Sequence, residues 1–189
     1  PDLMGRNGFG AGLAVANGKI YVGSYEGIPM PPAANFGGSV NEYDAATGSY
    51  RRSFARVLPL QNDNFGSVIA AVGPNLAVRS AYAPGETAPL AINIVDAVSG
   101  DVLDSIPNPN PSPVQTTLFG NSMVAVGSRL VVSNPAYAPP EGDGFARGGI
   151  FVYENLPRML AYSHFDEAAA GALSFTPSPD QTEASFATV

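Results

Sequence analysis

Apolar residues in this chain come in short runs separated by turn residues, and the runs return in pairs. Residues 12–24 read Gly-Leu-Ala-Val-Ala-Asn-Gly-Lys-Ile-Tyr-Val-Gly-Ser and residues 68–80 read Val-Ile-Ala-Ala-Val-Gly-Pro-Asn-Leu-Ala-Val-Arg-Ser. Residues 123–134 repeat the arrangement as Met-Val-Ala-Val-Gly-Ser-Arg-Leu-Val-Val-Ser-Asn. Two apolar runs around a Gly-centred turn predict a β-hairpin. A third run follows each pair and ends on an acidic residue: Ser-Val-Asn-Glu-Tyr-Asp (39–44), Ala-Ile-Asn-Ile-Val-Asp (91–96) and Gly-Ile-Phe-Val-Tyr-Glu (149–154). Ala-Ala-Thr-Gly (45–48) and Ala-Val-Ser-Gly (97–100) then supply turn chemistry before fourth strands at roughly 49–57 and 101–106. The third unit replaces that turn with Asn155-Leu156-Pro157 and continues from Arg158 to Tyr162.

Each unit opens on a Phe-Gly pair, at Phe9-Gly10, Phe65-Gly66 and Phe119-Gly120. A regular repeat of this length, built of four short strands, predicts an all-β array of propeller blades or a β-solenoid in place of a single sandwich. The blades would span about 9–58, 65–107 and 119–164, with residues 165–189 as a tail. The Phe residues are expected to wedge between neighbouring blades, with each Gly allowing close backbone approach.

The motif set resembles FG-GAP repeats, the blade family of the integrin α-subunit head and of many bacterial surface proteins. The likeness covers about residues 9 to 154. Its closing triplet is matched by Gly23-Ser24-Tyr25, Ser80-Ala81-Tyr82 and, displaced by an insertion, Pro135-Ala136-Tyr137. Ser-Ile-Pro-Asn-Pro-Asn-Pro (105–111) is similar to the proline-containing linker that bacterial members place before the next Phe-Gly. The resemblance implies a β-propeller-like array of three four-stranded blades. Three blades are too few to close a ring, which needs about four or more. The chain is therefore expected to be part of a longer propeller, half of a ring completed by a second copy, or an arc capped by neighbours in an assembly. The apolar stretch Ala168 to Phe175 is a candidate for pairing with another blade or subunit, whereas Thr176 to Thr188 reads as coil.

Composition narrows the function classes. Gly (21) and Pro (18) are abundant, as a fold with frequent turns requires, and 45% hydrophobic residues argue for a packed chain. No window approaches the roughly 18–20 consecutive apolar residues of a membrane-spanning helix. The chain starts at Pro1 without a signal peptide, which predicts a processed or excised piece. A net charge of −7, with Lys19 the single lysine, argues against a nucleic-acid partner, which needs concentrated basic surface. Arg51, Arg52 and Arg56 form the one basic cluster, read as a solvated outer strand. Cysteine is absent, which removes disulfides and thiol nucleophiles. The acidic balance, sparse lysine and the family likeness together point to an extracellular or cell-surface protein.

Catalytic chemistry is thin. The one histidine, His164, has Ser163 and Asp166 near it in sequence, but neighbours on a strand point to opposite faces and a triad needs its groups converging. Asp166-Glu167 has no carboxylate placed across a cleft from it, and no phosphate loop or metalloprotease motif occurs. Calcium-binding FG-GAP blades carry alternating acidic residues in the first hairpin loop. Here those turns are Ala16-Asn17-Gly18, Val72 to Asn75 and Val126-Gly127-Ser128, without a carboxylate, so the family's site does not carry over. Glu141, Asp143 and Asp63 are the nearest oxygen donors, each with too few partners for a hard cation. No cofactor is expected.

The remaining chemistry lies in the insertions between second and third strands: Glu26 to Phe36, Pro84 to Pro89 and Pro139 to Arg147. Corresponding loops of a propeller emerge on one face, and diverse loops on a rigid scaffold serve recognition. Tyr25, Tyr82 and Tyr137 stand at their bases, and Phe36 and Phe145 lie within them. These aromatics would either stack on sugars and anchor a protein partner or, for the tyrosines, pack the repeat. The sequence thus predicts a non-enzymatic binding, adhesion or assembly module for protein or carbohydrate partners. The alternatives are a structural subunit of a surface filament and a propeller-type hydrolase or lyase.

Overall fold

The computed structural model describes residues 8–25, 37–55, 64–80, 91–109, 118–138 and 148–154, together with the strand backbone at 159–164 and 176–177. Those residues are all-β, in three antiparallel sheets, none closed into a barrel. The first sheet contains β1 (Phe9–Ala16), β2 (Lys19–Ser24), β3 (Ser39–Asp44) and β4 (Tyr50–Phe54) in chain order. The second contains β5 (Ile69–Val72), β6 (Asn75–Ser80), β7 (Ala91–Asp96) and β8 (Val102–Pro107), also in chain order. The third runs β9 (Met123–Val126), β10 (Arg129–Asn134), β11 (Gly149–Glu154), β12 (Met159–His164) and β13 (Thr176–Pro177). The expected hairpins and third and fourth strands are all present. The tail departs from expectation at Thr176 and Pro177, expected as coil, which pair with Tyr162 and Ala161 as an edge strand; the apolar stretch Ala168 to Phe175 lies outside the described residues. Pro is tolerated there because an edge strand leaves one side of its backbone unpaired.

Local chemistry sets the turns. Asn17 and Gly18 both have positive φ, the requirement of the two-residue turn that joins Ala16 to Lys19 in register. The Phe-Gly pairs occupy the centre of a second recurrent turn. Ala11, Ser67 and Asn121 each donate a backbone hydrogen bond to the residue three before, at 3.1, 3.0 and 3.0 Å. The central glycines Gly10, Gly66 and Gly120 have φ of 90, 93 and 71°. That is the third position of a type II turn, where a side chain is disfavoured.

The sheets stack through these turns. β1 lies against β5 and β5 against β9. The middle sheet is apolar on both faces, because alternate residues of each strand point opposite ways. Ile69, Leu76, Val78 and Val95 join Tyr21, Val40 and Phe65 in one core. Ala70, Ala77, Ile92, Ile94 and Ile106 join Phe119, Leu130, Val132 and Phe151 in the other. Phe65-Gly66 is seated on the first sheet so closely that a β-carbon on Gly23 or Gly38 would overlap the Gly66 or Phe65 carbonyl oxygen. Phe119-Gly120 sits likewise on the second sheet, beside Arg79 and Ile92.

Phe9 corrects the expectation that all three Phe residues are wedges. Phe65 and Phe119 are 1% exposed, whereas Phe9 is 43% exposed. Each Phe-Gly turn docks on the sheet before it, and among the described residues no sheet precedes the first. Phe65→Ala and Phe119→Ala should each lower unfolding free energy by about 3–5 kcal/mol. Phe9→Ala in dilute solution should lower it by under about 1 kcal/mol, as for an exposed site. Urea denaturation of the three variants checks this ordering.

Candidate functional site

The three variable segments leave the stack at one end. In every sheet they join the second strand to the third, departing after Ser24, Ser80 and Asn134 and returning at Ser39, Ala91 and Gly149. The Phe-Gly turns mark that same end. Gly66 packs on Gly23 and Ser39 of the first sheet, and Gly120 packs on Arg79 and Ile92 of the second. The Phe-Gly turns therefore join successive sheets at the end where the second and third strands open to these segments.

Beneath the loops lies a buried polar layer. Asn41 donates to the Val22 carbonyl at 3.1 Å and accepts from the Ser53 hydroxyl. Its counterpart Asn93 donates to Ser80 Oγ at 2.7 Å and accepts from Ser105 Oγ at 3.0 Å. Both asparagines are fully enclosed, so these bonds fix the strand ends that carry the loops. The third sheet has Phe151 at this position, and its polar role passes to Asn134, which accepts from the Ala136 backbone at 3.2 Å.

The expected ligand aromatics divide. Tyr137 is buried, its ring edge-on to Phe151 at 5.1 Å, while Phe151 in turn meets Phe119 at 5.9 Å. It packs the repeat. Tyr25 is half-buried, with its ring lying where a side chain on Gly8 would go. Phe36, Tyr82 and Phe145 lie outside the described residues, as do the oxygen donors Glu141, Asp143 and Asp63. Among the described residues no cluster of three metal-ligating side chains occurs. Ser163 and His164 follow one another on β12, opposite Ile150 and Gly149 of β11.

The opposite end of the sheets carries the charge chemistry. Asp44 and Asp96 close the turns after β3 and β7. Asp44 Oδ1 accepts from the backbone of Ala46 and Thr47 at 3.1 and 3.0 Å, and Asp96 Oδ1 accepts from Val98 and Ser99 at 2.6 and 2.9 Å. Arg51 and then the Thr47 bonds hold the Asp44 carboxyl down to about 2. The Ser99 and Val98 amides lower Asp96 in the same way. The acidic residue ending each third strand is thus a turn cap in the first two units.

Arg52 departs from its reading as an outer-strand surface charge. It donates to Glu42 at 2.8 Å and, across the joint between sheets, to the carbonyls of Ser99 and Ala97 at 3.1 and 3.2 Å. Its guanidinium also covers Phe54 at 5.4 Å. Glu42 is 3% exposed and also takes Lys19 at 3.0 Å. Burial alone would raise the Glu42 carboxyl, but hydrogen bonds from Arg52 and Lys19 outweigh it and bring it below its ordinary range. The cross-strand pairing of Glu42 with Arg52 was available from strand register. The carbonyl partners were not, because they belong to the next unit. Arg56 lies outside the described residues.

Truncating Glu42 to Ala removes the shared anion of Lys19 and Arg52, both of which keep access to water, and should cost about 1–3 kcal/mol, read from urea midpoints. Asp44, Asp96 and Glu42 are all depressed in the folded state, so their stabilisation is full above the unfolded carboxylate values near 4 and is lost on acidification. Thermal melts should therefore fall as pH drops from about 4 to about 2, and Asp44→Asn should flatten that fall. Comparison with known proteins finds no family model that matches the chain and no curated protein of similar sequence.

Proposed function

We propose that the three sheets are FG-GAP-like propeller blades forming an arc, and that the protein is a non-enzymatic binding module of the cell surface or extracellular space. The observation that carries this reading is geometric. Three segments of different length and composition, 26–36, 84–89 and 139–147, lie between the second and third strands of three successive packed sheets. Their anchor residues are held by buried Asn and Ser hydrogen bonds and by the seated Phe-Gly turns. A rigid base under diverse loops suits recognition of a partner surface, whereas catalysis requires converging reactive groups. Phe36 and Phe145 within these segments, and Tyr82 at the base of one, are the aromatics offered for stacking on a sugar or anchoring in a protein pocket.

The test is retention on a glycan array and on immobilised extracellular matrix proteins. Wild-type chain should be retained on one of these surfaces. A variant with all three segments replaced by Gly/Ser linkers should lose retention while keeping its melting temperature. Retention unchanged by the replacement would assign binding elsewhere. Product formation that disappears in His164→Ala would favour the hydrolase alternative.

A further inference from the structure

The two outer faces of the stack are unlike solvent faces. In the first sheet Phe9, Leu13 and Val15 are 43, 64 and 68% exposed. Leu13 pairs with Val22, and Val15 with Ile20, so they belong to one face of β1 and β2. The same positions of the second unit are Phe65, Ile69 and Ala71. Phe65 and Ile69 are 1 and 5% exposed, and all three pack in the core against the first sheet. At the other end Val124 and Val126 of β9 are 55 and 65% exposed. Val124 pairs with Val131, which pairs with Val152, giving an apolar row across three strands. The matching positions of the second sheet, Ala70 and Val72, are 7 and 4% exposed beneath the third.

One outer face therefore has the composition of a sheet awaiting a predecessor, and the other that of a sheet awaiting a successor. Terminal units of a stacked repeat that face water carry polar outer surfaces; here the outer face of β9–β11 is charged only at its turn end, where Arg129, opposite Val126, pairs with Glu154, and is apolar at Val124, Val131 and Val152. The third sheet also presents the strand position on which a Phe-Gly turn lands. Ser133 stands where the first sheet has Gly23, since Gly66 donates to the Arg79 carbonyl as Gly120 donates to that of Ser133. Ser133 is intermediate between the two seats already used, smaller than Arg79 beneath Phe119-Gly120 and larger than Gly23 beneath Phe65-Gly66.

We infer that the chain docks head to tail on a second copy of itself, with Phe9, Leu13 and Val15 of one molecule seated on Val124, Val126 and Val131 of the other. The contact continues the two interfaces already made within the chain, using the same strand positions and the same Phe-Gly turn. It is heterologous, because the two surfaces differ, and it forms a closed pair or a longer stack according to whether the rotation closes. The residues that make it lie on β1, β9 and β10, outside the segments replaced in the retention test, so loss of self-association and loss of ligand retention are separable.

Light scattering after gel filtration, at tens of micromolar chain, tests the docking with Leu13→Asp and Val124→Asp. Both side chains are exposed in the single chain, so the variants should fold, as circular dichroism will verify. Wild type should run as a dimer or larger. Each variant alone should be monomeric, with the association midpoint shifted by about a hundredfold or more through a buried unpaired carboxylate. An equimolar mixture of the two should recover pairs, since one molecule keeps an intact tail and the other an intact head. A monomeric wild type would overturn the docking and leave these faces to further repeats or to a different partner. Self-association of either variant alone would overturn it too, because a head-to-tail contact needs both faces.

Discussion

The seat of one Phe-Gly turn on the sheet before it is the contact on which the remaining architecture depends. At Gly66 the approach is backbone to backbone, and it is possible only because Gly23 and Gly38 have no side chain beneath it. The turn is held from its own side by a hydrogen bond from Gly66 to the Arg79 carbonyl at 3.1 Å. It thereby transmits the position of one sheet directly to the next. The Phe ring lies buried in the core between the two sheets, and a second core forms on the opposite face of the middle sheet.

At the far end of the sheets the joint is closed by charge. Arg52 reaches from β4 to the carbonyls of the turn after β7, a turn that Asp96 has already shaped by accepting its amides. A cation donating to aligned carbonyls is well satisfied there, and Glu42 neutralises it from within the first sheet. The two ends of each sheet therefore differ in kind. One is made of backbone and aromatic contact over a buried layer of Asn and Ser, with Arg79 donating to a carbonyl, and anchors the variable segments. The other is ionic and carries short turns that the local sequence alone determines.

Strand positions were legible because short apolar runs and Gly-containing turns are local signals, and all four strands of each unit lie where those signals place them. The edge strand at Thr176 was not, since two residues including a proline carry no pattern. Burial of the repeated Phe residues was legible for Phe65 and Phe119 but not for Phe9, whose neighbours in sequence match theirs. Exposure there depends on what precedes the sheet in space. The reach of Arg52 and the burial of Arg79 were hidden for the same reason, as their partners Ala97 and Phe119 belong to the following unit or turn. Tyr137 could be read either as ligand contact or as packing, and its contact with Phe151 decides for packing.

The two internal joints solve one geometric problem in different ways. Gly23 yields to the incoming turn by absence, whereas Arg79 at the matching strand position stays buried and donates to the Phe119 carbonyl at 2.9 Å. The units are thus alike in outline but not exchangeable, as each seat is fitted to the turn that lands on it. Cutting out the middle unit, or duplicating it, would bring an unmatched seat and turn together. The linear order of the units is accordingly encoded at their joints, and the array can lengthen only where a new joint is matched along with the new unit.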